Sequence, residues 1–188
     1  MTDPARHLAF AGPRCIADGP LREVLPVLKQ RFDADRSDMV LVFEVESGRQ
    51  IDFDLRGTLA EALERADPQQ PRGPGRPKLG VVSREVTLLP RHWEWLEAQS
   101  SGSSATLRRI VEAAMKAHPD QDRARRIRMA LSRFLSTMAG DRPNFEESSR
   151  ALFAGQTERF EALVQRWPKD IRTHALEQAR AAVQAEQK

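Results

Sequence analysis

At 188 residues the chain can hold one ordinary domain, or two small ones joined by a linker. Hydrophobic residues make up 40% and charged residues 30%, with 6% aromatic and no Tyr, which argues against global disorder and favours helices with wide solvated faces over a large β-structure. The net charge is +3, and the single cysteine, Cys15, excludes an internal disulfide framework and a Cys-based zinc site.

The distribution of charge says more than its sum. Residues 1–70 hold 9 Lys and Arg against 13 Asp and Glu, residues 71–118 hold 8 against 4, and residues 119–188 hold 13 against 10. An acidic front and a basic remainder suit an anionic partner that touches only the second half. Ordinary solvated faces would give the same asymmetry. No apolar run approaches the ~18 residues of a membrane span, and the N-terminus lacks a basic-then-apolar leader pattern. With its lone cysteine, the chain reads as a soluble cytoplasmic protein with no membrane partner.

The fold class read from the pattern is α+β, in the segments 1–67, 68–80, 81–118 and 119–188. Residues 1–67 form a small α+β unit. Leu8 and Phe10 alternate with Ala9 and Ala11 in a strand ending at Gly12-Pro13, and Arg14 to Ala17 supply its hairpin partner. Asp18-Gly19-Pro20 resembles a helix start, followed by Leu21, Val24, Leu25, Leu28 and Phe32 on one face of a 3.6-residue period. Pro26 inside that period predicts a kink or a later start. Met39 to Val45 is an apolar run fit for a central strand, and Ser47-Gly48 a turn. Gln50 to Leu55 alternates Ile51, Phe53 and Leu55 with polar residues, a half-buried strand. Thr58 with Glu61 is a capping box opening a helix through Leu59, Leu63 and Ala66. The element order is β(β)αββα.

Residues 68–80 contain four Pro and three Gly and read as a linker. Val81 to Leu89 is β-like. A helix from Pro90 to about Gln99 would bury Trp93 and Leu96, while Trp93 and Trp95 point to different sides. After Ser100-Ser101-Gly102, with Ser103 or Ser104 as cap, a second helix would bury Leu107, Ile110, Val111 and Ala114. Residues 119–188 then read as a helical bundle. Its stripes are Ile127, Leu131, Phe134, Leu135 and Met138, stopped by Gly140; Phe160, Leu163, Val164 and Trp167, stopped by Pro168; and Ile171, Ala175, Ala179 and Val183.

Three constellations bear on function. Over Arg84 to His118 the strand and two helices resemble the ribbon-helix-helix family in element order and length. That resemblance implies a homodimer whose paired strands enter the major groove of DNA. Anchored on Pro90, Glu85 and Thr87 stand where that family buries apolar residues. Val86 and Leu88 would face inward and Ser83, Glu85 and Thr87 outward, with the start of the second helix at Ser103 offering amides to a phosphate. Second, Gly75-Arg76-Pro77-Lys78 looks like the centre of an AT-hook, with Pro74 in place of the usual basic residue. Third, Arg123, Arg125, Arg126, Arg128 and Arg133 could track phosphates, or form a solvated face with intrachain pairs.

The catalytic inventory is thin. His7, His92, His118 and His174 stand alone, without the spacing a metal site needs, and no Gly-rich phosphate loop is present. His118-Pro119-Asp120-Gln121-Asp122 reads as a helix start. Glu44, Glu46, Asp52 and Asp54 read as the wet face of a hairpin rather than a general acid/base pair. No cofactor and no small-molecule substrate is indicated.

The blocks Gly-Arg-Pro-Lys-Leu-Gly-Val-Val (75–82) and Arg-Glu-Val-Thr-Leu-Leu-Pro-Arg-His-Trp (84–93) resemble the signature of domain-of-unknown-function family 2239, an uncharacterised bacterial family. Met138-Ala139-Gly140-Asp141, Ala151-Leu152-Phe153-Ala154-Gly155 and Trp167-Pro168 are similar too. The resemblance implies a bacterial, cytoplasmic origin and carries no activity or catalytic residue. The leading reading is therefore a non-enzymatic, regulatory protein binding double-stranded DNA with weak sequence preference, as a homodimer. Ser83 and Thr87 would face bases, Arg76 and Lys78 the minor groove or backbone, and Arg84, Arg91, Arg108 and Arg109 the phosphates. The rival is a non-catalytic protein-interaction or structural module, in which Val81–Leu89 joins a sheet of its own chain or of a partner.

Overall fold

The computed structural model describes residues 5–34, 38–66 and 82–187. Arg6–Ala11 (β1) and Arg14–Pro20 (β2) form a hairpin that turns at Gly12, whose φ of 55° lies in the left-handed region open to glycine. Leu21–Asp33 (α1) follows directly, with Pro20 as N-cap, so Asp18-Gly19-Pro20 closes a strand as well as opening a helix. Pro26 lies inside α1 without ending it. It forgoes one bond to the Arg22 carbonyl, while Val24, Leu25 and Leu28 remain buried around it. Phe32, expected on the apolar face, is exposed, with the Lys29 ammonium 5.7 Å from its ring centre.

Val40–Glu44 (β3) pairs antiparallel with β1, and Gln50–Ile51 (β4) with β3, giving the sheet order β2-β1-β3-β4. The order β(β)αββα is thus the one observed, completed by Leu59–Ala66 (α2). The strand expected over Gln50–Leu55 is shorter: only Gln50 and Ile51 pair. Beyond them Asp54 Oδ1 accepts the Arg56 backbone N–H at 3.1 Å, a local bond that competes with the ladder on an edge strand. Phe53 and Leu55 still pack on the α1 side of the sheet. The capping box forms: the Thr58 N–H donates to Glu61 Oε2 at 2.7 Å, and the Glu61 N–H to Thr58 Oγ1 at 3.3 Å. Thr58→Ala should therefore cost about 1 kcal/mol of stability, read by urea denaturation.

Two further helices, Pro90–Glu97 (α3) and Ser103–Ala117 (α4), precede the C-terminal four: Pro119–Met138 (α5), Phe145–Phe153 (α6), Thr157–Leu163 (α7) and Lys169–Glu186 (α8). The chain divides into two compact units, one of Met1–Gln69 with Asp120–Lys188 and one of Gln70–Pro119. The segments 1–67 and 119–188, expected as separate domains, thus fall in one unit apart from Pro119. The cause is the sheet's two apolar faces. Ala9 and Val42 pack with Val24 and Leu28 of α1, whereas Leu8, Phe10 and Phe43 on the opposite face require a cover of their own. That cover comes from α5 to α8, through Leu131, Phe134, Leu135, Leu152, Phe160, Trp167 and Ile171.

Gly48 shows how closely the β3–β4 turn approaches α5. Its φ is 66°, a Cβ there would collide with the Ala130 carbonyl, and Arg133 Nη1 donates to the Ser47 carbonyl oxygen at 2.7 Å. No helix among the described residues is long and apolar enough to cross a membrane.

Candidate nucleic-acid interface

Residues 82–117, within the described part 82–119 of the second unit, carry the DNA hypothesis. Residues 82–89 are not assigned to any strand, and the sheet of the first unit consists of β1 to β4 alone among the described residues. The β-like run is thus present as exposed backbone without a ladder. A single strand has no hydrogen-bond partner of its own, so apolar alternation by itself cannot make it a sheet. Pro90 stands at the first turn of α3, where its missing N–H costs no helical bond, and Leu89 before it is extended.

The turn between α3 and α4 is closed by Gly102, with φ of 75°. Gly102 is the N-cap of α4, and the expected caps Ser103 and Ser104 are its first helical residues, because the glycine has already reversed the chain. Leu96 and Thr106 are buried, and the Ser101 and Thr106 hydroxyls lie 2.9 Å apart. Beyond these two side chains the helical pair has little interior. Trp93, expected inside, is exposed, as is Trp95. Leu107 is half-buried; Ile110, Val111 and Ala114 are exposed rather than buried. Of the pair proposed to face inward from the extended run, Val86 is exposed and Leu88 half-buried. Two helices of 8 and 15 residues cannot enclose that much apolar surface between themselves.

Each proposed contact residue can now be located. Ser83, Arg84, Thr87, Arg91, Arg108 and Arg109 are exposed, and Ser103 is half-buried at the start of α4. Arg76 and Lys78, with the AT-hook-like core and the linker 68–80, lie outside the described residues. Lys116 pairs with Glu112 at 3.8 Å, whereas Arg84, Arg91, Arg108 and Arg109 have no ion-pair partner among the described residues.

The arginine run on α5 belongs to the first unit and is largely engaged there. Arg128 is buried and reaches Glu186 of α8 at 2.5 and 2.8 Å, Arg125 pairs with Asp122 at 2.7 Å, and Arg133 holds the Ser47 carbonyl. Arg123 and Arg126 are exposed. The strand carboxylates are likewise dispersed. Asp54 sits between Arg56 at 2.8 Å and Arg65 at 3.7 Å, and the Arg56 guanidinium holds its carboxyl well below the usual range. Glu44 accepts from the Ser47 hydroxyl, and Glu46 accepts the Arg6 backbone N–H at 3.3 Å. Cys15 is half-buried, and burial raises its thiol pKa, which disfavours the reactive thiolate. Among the described residues no three His, Cys, Asp or Glu side chains group to hold a metal.

A family model described as an uncharacterized protein conserved in bacteria (DUF2239) matches residues 6–179. The chain belongs to this family. No curated protein and no solved structure matches it. The DUF2239-like blocks outside the second unit have structural roles in this chain. Met138-Ala139-Gly140-Asp141 ends α5 with Ala139 fully buried, Ala151 and Leu152 are core residues of α6, and Gly155 turns with φ of 68°. Trp167 is buried and its indole N–H donates to the Pro143 carbonyl at 2.9 Å, while Pro168 caps α8. The block at 84–93 differs in kind, because most of it is exposed.

Proposed function

We propose that residues 82–117 are the DNA-contacting and dimer-forming segment of a homodimeric, ribbon-helix-helix-like protein. The observation that carries this reading is an uncovered apolar surface on an uncovered backbone. Val82, Val86, Leu89, Trp93, Trp95, Ile110, Val111 and Met115 are all exposed in the single chain, alongside an extended run with no strand partner among the described residues. Monomeric soluble proteins rarely leave such a concentration of large apolar side chains in water. A second copy pairing antiparallel along 82–89 would supply backbone partners and cover both helices at once. The unpaired Arg84, Arg91, Arg108 and Arg109 then neutralise phosphates, with Arg76 and Lys78 as further cations. Ser83 and Thr87 face the groove, and the α4 start at Ser103 offers backbone amides. With only Ser83 and Thr87 facing bases, recognition is weakly sequence-specific, and Glu85 on the same strand face lowers affinity by repelling phosphate.

Fluorescence anisotropy with duplex DNA tests the contacts. Four arginines per chain make eight phosphate contacts in the dimer, so affinity should fall roughly ten-thousandfold between about 50 and 200 mM salt. The double variant Arg108→Ala/Arg109→Ala removes two contacts from each chain and should reduce the log–log salt slope by about 4. Light scattering tests the assembly. Val111→Glu places a charge on an already exposed position, so it should leave the fold intact and convert dimer to monomer. A wild-type monomer that binds no duplex at micromolar concentration would leave the protein-interaction module as the better reading.

A further inference from the structure

The first unit contains a cavity of about 690 Å³ where the sheet extends past the start of α1. Its floor is a cross-strand pair, His7 of β1 opposite Glu44 of β3, on the face that carries Ala9 and Val42. Leu21, Ile51, Phe53 and Ala66 form apolar walls. The size falls within the roughly 300–1,000 Å³ typical of small-molecule sites, and apolar walls around a few polar groups are their usual make-up.

We propose that this cavity binds a small aromatic cation, a flat apolar ring bearing an amidine or amine. His7 is buried, and its Nδ1 has no hydrogen-bond partner among the described residues. Beside it, Glu44 commits Oε2 to the Ser47 hydroxyl, and its other oxygen has no hydrogen-bond partner among the described residues. Phe53 stands edge-on to His7 with ring centres 6.4 Å apart, an aromatic wall against which a cationic ring can stack. The two carboxylates of the lining, Glu23 and Glu44, outnumber its one arginine, exposed Arg22. This polarity is opposite to that of a phosphate site, so the cavity is distinct in chemistry from the DNA-contacting segment.

Calorimetry of the full chain with benzamidine as probe, and benzoate of the same shape as comparator, tests the proposal. Benzamidine should bind roughly tenfold tighter than benzoate, the difference one charge-assisted hydrogen bond makes. Glu44→Gln should abolish that preference. Ile51→Trp, which fills the cavity, should abolish binding while circular dichroism remains unchanged. Equal affinities for the two probes, no benzamidine binding at millimolar concentration, a preference that survives Glu44→Gln, or binding that survives Ile51→Trp would each overturn it. The titration contains no DNA, so its outcome is independent of the nucleic-acid reading.

Discussion

Phe134→Ala is expected to lower the unfolding free energy by roughly 3–5 kcal/mol, the usual cost of emptying a fully buried aromatic site. Phe134 is where the two discontinuous parts of the first unit meet. Its ring lies 5.4 Å from Phe10 of β1, 5.0 Å from Phe43 of β3 and 4.7 Å from His174 of α8, and none of the three phenylalanines is more than 1% exposed. Removing it takes contacts from the sheet and from the helices together, so the loss should appear as one cooperative shift in urea. Phe153→Ala is the control: that ring is half-exposed at the end of α6, and its loss should change stability by less than about 0.5 kcal/mol. Similar costs at the two positions would mean that the sheet and the helices do not share a core.

The second large effect is a pH dependence centred on His174. Burial lowers its pKa from 6.5 to about 4, with the positive charge of Arg6 adding to the shift and Asp18 opposing it. The folded state therefore keeps the ring uncharged while the unfolded chain takes up a proton. Between pH 6.5 and 4 the unfolded state binds more protons, so stability falls as pH drops through that window and is fully present above it. The difference amounts to roughly 3 kcal/mol. Urea denaturation at pH 7.5 and pH 4 should show it in the wild type, superimposed on the carboxylate titrations. His174→Leu keeps those titrations and removes this one, so its pH slope should be shallower by that amount. Parallel slopes in the two proteins would mean that His174 titrates alike in the folded and unfolded states.

What could be read from the residue order was what local chemistry decides. Thr58 and Glu61 need only each other to begin a helix, and they do so. The strand of Leu8 and Phe10, its hairpin partner and the apolar stripe of α5 follow from spacing within a few residues. Periodicity, however, reports that a face is apolar, not what covers it. Leu131 and Phe134 find the sheet, while Ile110 and Val111, with the same helical spacing, stay exposed. The union of β1 with α5 and α8 was not legible because residues 10 and 134 carry no mark of each other. Nor was the cavity at His7, which exists only once β1, β3 and the start of α1 are assembled. Of the proposed nucleic-acid contacts, Ser83, Arg84, Thr87, Arg91, Arg108 and Arg109 are exposed, whereas the cap expected at Ser103 or Ser104 falls on Gly102.

The interrupted layout of the first unit also governs its birth on the ribosome. Leu8, Phe10 and Phe43 emerge well before Phe160, Trp167 and Ile171, which cover them. At bacterial elongation rates of roughly 5–20 residues per second, the sheet's second face waits on the order of ten seconds for its helices. A nascent chain with so long an exposed hydrophobic surface is a natural client for ribosome-associated chaperones.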